Sequence, residues 1–210
     1  MPEPAFGEVI LVHGLWYGPW TLRKLDHALQ QHGFPCRHFR YSATAASLAD
    51  HAADLGAFAL QSGETRQHFV GHSLGGLVTL RMLADCDEIA PGRVLLLGSP
   101  LRGSIVARKI HRVPGSQKLL GQVQNVLEEG YAVLPRDRET AMIAGSRGPG
   151  LGWFTGGLGS PGDGTVALAE TEVQGLKDRL VLPVSHSGML FSNEVTRQSI
   201  SFLETGSFRR

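Results

Sequence analysis

The chain has 210 residues, enough for one domain and short for two, and the sequence is read as a single domain over residues 1–210. Hydrophobic residues make up 42% and charged residues 19%, an ordinary globular balance that excludes wholesale disorder. Twenty basic against nineteen acidic residues leave a net charge of +1, without the basic excess of a nucleic-acid binder, so no nucleic-acid partner is expected.

Short β-rich runs alternate with helix-period runs along the chain. Residues 8–13 (EVILVH) read as a buried strand. Leu22, Leu25 and Leu29 then recur at helical spacing, and Gly33 stops that helix. A short second strand covers 36–40, and Ser47 is a good N-cap for a helix carrying Leu48, Ala52, Leu55 and Ala59 on one face. A third strand is expected at 67–71 and a helix at 74–84. The fourth strand, 93–98 (RVLLLG), is apolar nearly throughout, as a strand covered on both faces should be. Strands at 140–144 and 179–184 and a closing helix at 192–204 complete the series. The longest connection, 101–139, contains an amphipathic run through Leu119, Leu120, Val123, Val126 and Leu127; one helix there serves the crossover, and anything extra forms a small cap. A Gly-rich loop, 145–162, follows the fifth strand.

This order predicts an α/β fold: a mostly parallel sheet of about six strands with helices on both faces and a minimal cap or none. Right-handed crossovers bring the C-terminal ends of the strands to one edge, where open α/β sheets bind ligands. Cys36 and Cys86 are too few for a disulfide framework. The N-terminus lacks a basic segment before its first apolar run, so no signal peptide is read and a cytoplasmic setting is expected. No uncharged apolar run reaches about 18 residues, and no stable membrane insertion is expected.

Gly71-His72-Ser73-Leu74-Gly75 matches G-x-S-x-G, and its context makes the match informative. It lies between a strand and a helix, at a turn so tight that side chains at 71 and 75 would clash, and it presents Ser73 at the helix N-terminus. A serine nucleophile needs a base and an acid, and in this fold class they follow it in chain order, acid first. After the Ser73 helix only His111 and His186 remain; His111 lies in a basic amphipathic stretch, whereas His186 follows the last strand at the correct edge. Asp137, Glu139, Asp163, Glu170, Glu172 and Asp178 include the acid. Asp163, between two glycines after the fifth strand, is favoured, and Asp178 falls at the opposite edge. Two backbone N–H groups must receive the oxyanion: that of Leu74 and one after the first strand, with Leu15 preferred and Trp16 the alternative. Trp16, Tyr17, Trp153 and Phe154 are candidates for lining a substrate pocket.

VILVHG, GHSLGG, the late Pro-Gly-Asp-Gly and the terminal Ser-His-Ser-Gly together resemble the α/β-hydrolase superfamily, and within it small bacterial esterases and lipases. The segment GSPLRGS at 98–104 is similar to a Pro-His-x-Gly-Ser stretch of lipases, with Leu101 in place of His. The resemblance spans residues 8 to about 202. It implies an α/β-hydrolase fold with Ser73 as nucleophile, Asp163 as acid, His186 as base, and Leu15 and Leu74 as oxyanion donors. It also implies cleavage of a small-molecule or lipid carboxylic ester without cofactor or metal; an acyltransferase or thioesterase using the same triad is the alternative, and a non-catalytic binding protein on the same scaffold is a third. Esterase is preferred to lipase because the chain has little room for a large lid. Two other patterns are discounted. Gly157–Gly162 matches G-x-G-x-x-G but neither follows a strand nor opens a helix, and His68 and His72 have a zinc-protease spacing without the glutamate, on a strand. The basic run Arg102, Arg108, Lys109, Arg112 and Lys118 is read as a solvated face, with attraction to an anionic substrate or membrane surface as the alternative.

Overall fold

A computed structural model describes residues 6–210, apart from Pro114, Pro149 and Thr155 and the side chains of Gln117, Trp153 and Phe154. Six parallel strands form one open sheet in the order β2-β1-β3-β4-β5-β6. They are β1 (Glu8–Val12), β2 (Cys36–Phe39), β3 (Gln67–His72), β4 (Val94–Leu97), β5 (Thr140–Gly145) and β6 (Asp178–Leu182). The last strand ends before Pro183, two residues earlier than its apolar pattern suggests. Proline has no N–H for the ladder, so the loop that carries His186 begins sooner.

Alternation along the strands sorts the core into two layers. Ile10, Val12, Phe69, Leu96 and Met142 face one side, where α2 (Leu48–Leu60) and α3 (Leu74–Asp85) pack. Val9, Leu11, Val70, Leu95 and Ile143 face the other, under α1 (Arg23–Gln31) and α8 (Asn193–Thr205). Ser47 caps α2 through a reciprocal capping box with Asp50, satisfying two N–H groups that the first helical turn leaves open. Burial of the central strands on both faces accounts for their continuous apolar sequence.

The chain leaves β1 toward one face and β3 toward the other, so the strand order reverses between these two neighbours. A crevice opens at such a reversal. The long connection between β4 and β5 passes over it as a minimal cap: α4 (Ile105–His111), α5 (Gln117–Leu120), a 3₁₀ turn, and α6 (Gln124–Glu129). The run through 119–127 is therefore not one helix. It is broken at Gly121, whose φ of +56° favours glycine and where a Cβ would stand 2.2 Å from the Thr44 carbonyl oxygen. A further short helix, α7 (Leu151–Phe154), lies in the Gly-rich loop after β5.

Candidate active site

Ser73 occupies the turn from β3 into α3 with φ +54° and ψ −122°. With Trp16 it is one of two non-glycine residues at positive φ among the described residues. Such a conformation costs on the order of 1–3 kcal/mol and persists only where its surroundings enforce it. Here the tight packing around the turn depends on glycine at both flanks. A Cβ on Gly71 would stand 2.5 Å from the Gly76 Cα, and one on Gly75 2.3 Å from the Val12 carbonyl oxygen. The Ser73 N–H donates to the Leu97 carbonyl at 2.9 Å, and the hydroxyl makes no cap bond to its own helix. Leu74 is the first helical residue, so its N–H has no acceptor within α3.

Asp163 and His186 approach from the loops after β5 and β6. Oδ1 of Asp163 accepts from the N–H groups of Thr165 at 2.9 Å and Val166 at 2.7 Å. Oδ2 accepts from His186 Nδ1 at 2.7 Å, and the His186 N–H donates to the Asp163 carbonyl at 2.9 Å. Both side chains are almost fully buried, at 1% and 3% exposure, which keeps water from competing for the pair. The carboxylate accepts only, so the neutral imidazole holds its proton on Nδ1 and leaves the Nε2 lone pair free. His186 and Ser73 line the same cavity. No Ser73–His186 hydrogen bond forms across it; in unliganded sites this contact is often long and tightens around substrate.

The remaining acids lie elsewhere. Glu139 pairs with Arg93 at 2.8 Å and Lys177 at 3.2 Å, ion pairs that hold its carboxyl below the usual range. Glu170 caps Ile105 and Ala167 N–H groups, and burial raises its pKa. Asp178 binds the C-terminal segment through Phe208 N–H and Arg210. His111 faces Glu128 at 2.6 Å on the cap. His68 is occupied by backbone on both nitrogens, through the Phe6 carbonyl and the Arg93 N–H.

The loop after β1 crosses close over Ser73. A Cβ on Gly14 would stand 2.9 Å from the Ser73 Cβ, so only glycine lets the chain pass. Leu15, Trp16 and Tyr17 follow and line the cavity. The Leu15 N–H has no hydrogen-bond partner among the described residues. Trp16 is half exposed and donates from Nε1 to the Leu119 carbonyl on α5 at 3.0 Å, while the Tyr17 hydroxyl meets Ser187 Oγ at 2.5 Å. The side chains of Trp153 and Phe154, also expected as pocket residues, lie outside the described residues.

The cavity measures about 570 Å³ and its walls are mainly apolar. The cap supplies Val106, Ala107, Ile110, Leu120 and Leu127, and the loop after β5 supplies Leu151 and Val166. Sequence reasoning missed α4 as a wall, because Val106, Ala107 and Ile110 lie within the basic run read as a solvated face. One face of that short helix is charged and the other closes the cavity. Among the described residues, no three His, Cys, Asp or Glu side chains gather as a metal site, and no helix is long and apolar enough to cross a membrane.

Comparison with known proteins agrees with this architecture. The mature form of the Bacillus licheniformis lipase BlEst2 superposes with a TM-score of 0.77 at 16% identity, over 99% of this chain and 95% of that one. The metagenomic carboxyl esterase MGS0156 gives 0.69 at 16% identity, over 87% of this chain and 65% of that one. A lipase-esterase related protein from Clostridium acetobutylicum gives 0.62 at 12% identity, over 97% and 94%. At these identities the likeness is one of fold. No curated protein sequence matches the chain. The model of the Alpha/beta hydrolase family matches residues 9–191, and the chain belongs to that family.

Proposed function

We propose that the protein is a serine hydrolase of carboxylic esters with an apolar acyl group. The observation that carries this reading is the buried Asp163–His186 pair, closed at 2.7 Å, beside a cavity that also receives the strained Ser73. Ser73 Oγ attacks the ester carbonyl while His186 Nε2 takes its proton. Asp163 stays ionised, holds Nδ1–H and stabilises the imidazolium that forms. The N–H groups of Leu74 and Leu15 receive the developing oxyanion, a contribution typically of about 10²–10³ in rate per donor. The alcohol leaves with the proton from His186. Water, activated by the same imidazole, then releases the acid from Ser73 and regenerates the hydroxyl. The apolar cavity under the cap takes the acyl chain, which favours an ester with a hydrocarbon acyl group over a highly polar one.

The test is hydrolysis of a p-nitrophenyl ester series from acetate to palmitate, with Ser73→Ala and His186→Ala as controls. Ser73-dependent release that both variants abolish supports the reading, and the chain-length optimum measures the cavity. Full activity in folded Ser73→Ala ends it. Product analysis with added alcohols and thioester donors separates hydrolysis from acyl transfer by the same residues.

A further inference from the structure

His72 directly precedes the proposed nucleophile in sequence, is wholly buried, and packs against the proposed base. Its Nε2 lies 3.2 Å from the His186 carbonyl oxygen. A carbonyl only accepts, so Nε2 carries the proton. No other donor reaches that carbonyl among the described residues. The His72 and His186 rings also pack at 4.7 Å between centroids, tilted by 42°. Tyr17 stands edge-on to His72 at 5.0 Å, and its hydroxyl binds Ser187. These contacts close a circuit through His72, His186, Ser187 and Tyr17. The circuit joins the end of β3 to the loop after β6 and to the loop that passes over Ser73.

The remaining nitrogen of His72 makes the histidine conspicuous. Nδ1 is buried with no hydrogen-bond partner, which native structures seldom tolerate without a reason. It faces the Gly14 turn, where a Cβ would stand 3.0 Å away. An apolar ring would fill the same space without the orphaned nitrogen but could not donate to His186.

We propose that His72 is a positioning residue: its Nε2–H and ring face hold the His186 loop so that the imidazole keeps one rotation, with Nδ1 on Asp163 and Nε2 toward Ser73. The inference rests on the hydrolase reading above for its catalytic consequence, and on geometry alone for the clamp. His186, His13 and Tyr17 are the titratable groups around the ring. Burial, assisted by the two histidines, holds His72 well below its ordinary pKa, so no second cation opposes the imidazolium formed on His186 during turnover.

The decisive comparison is His72→Phe against His72→Gln. Phenylalanine fills the space without a donor, and the glutamine amide places a donor near the position of Nε2. On the best p-nitrophenyl ester, kcat of His72→Phe is expected to fall about 10–100-fold with KM changed less than about twofold, because misplacement on the order of 1 Å costs catalysis rather than binding. His72→Gln is expected to recover most of that loss. Wild-type turnover in His72→Phe, or glutamine as slow as phenylalanine in variants that melt alike, overturns the proposal. The downfield proton resonance of His186 Nδ1–H reads the clamp without turnover: it is expected in wild type and His72→Gln and broadened in His72→Phe. An unchanged resonance in His72→Phe also overturns the proposal. Absence of Ser73-dependent ester release from wild type instead counts against the hydrolase reading, and the resonance still decides the clamp.

Discussion

Gly75 presses against the end of β1 so closely that a Cβ on it would stand 2.3 Å from the Val12 carbonyl oxygen and 2.6 Å from that of His13. Both obstacles are backbone, so no rotamer change relieves them. The glycine thus sets the spacing between the turn that carries Ser73 and the loop that carries Leu15. Gly75→Ala is expected to cost about 3 kcal/mol or more, at the upper end of overpacking penalties. For a chain of this size that lowers Tm by roughly 6–12 °C. A thermal melt checks it; a variant that melts like wild type refutes the close approach.

Asp163→Asn tests the acid. Its Oδ1 can keep the Thr165 and Val166 N–H bonds, so the loop survives. The amide then turns a donor toward His186 Nδ1, which must become an acceptor. The proton moves to Nε2, where it blocks removal of the Ser73 proton. A loss of about 10⁴ in kcat is expected with little change in Tm, by analogy with the inverted tautomer in serine proteases. Steady-state kinetics and a melt on the same preparation read both, and near-normal turnover would assign the acid to another residue.

Most of the fold was legible because strand and helix periods are local properties. The apolar run around Leu95, the capping Ser47 and the glycines flanking Ser73 each announce their element without reference to distant residues. The choice of Asp163 and His186 as partners for Ser73 rested on which loops follow the strand ends at that edge, and the structure brings the 163 and 186 side chains together. What escaped was set by contacts between distant segments. Gly121 breaks the cap helix because Thr44, far away in sequence, comes too close for a side chain. The bond between Tyr17 and Ser187 spans 170 residues, and that between His72 and His186 spans 114. No periodicity encodes either, and in the sequence His72 reads as the variable residue next to the serine and as half of a discounted zinc spacing.

Acid should destabilise the fold through buried histidines. Burial is the main cause that lowers the His68 pKa from 6.5 to about 4; Arg93, Arg66 and Arg138 add to it, and the Phe6 carbonyl opposes. His13 and His72 shift in the same direction, also chiefly through burial. Between about pH 6.5 and 4 the unfolded chain binds a proton at residue 68 that the folded chain does not. Stability from this group is complete above the unfolded value and is lost as pH falls toward about 4, at up to about 1.4 kcal/mol per pH unit for one site. Urea unfolding at pH 7, 6, 5 and 4 is expected to show that decline, and His68→Gln to reduce its slope by about one proton. An equal slope in the variant would mean that His68 does not titrate on unfolding.

The cap wall sets acyl length if the chain runs beneath α4. Ile110 is half-buried and borders the cavity together with Val106 and Ala107. Ile110→Trp adds bulk there without touching Ser73, Asp163 or His186. One methylene too many in an apolar pocket costs roughly 1–3 kcal/mol, or about 10–200-fold in kcat/KM. The optimum should therefore move to shorter esters, with the longest good substrate losing at least about tenfold relative to acetate. A second cavity, of about 640 Å³, lies on the other side of Trp16 and Tyr17, bordered by Arg40, Tyr41 and Thr44. A length profile that ignores Ile110→Trp and responds to Thr44→Trp would place the acyl chain there, and the chamber under the cap would then receive the alcohol.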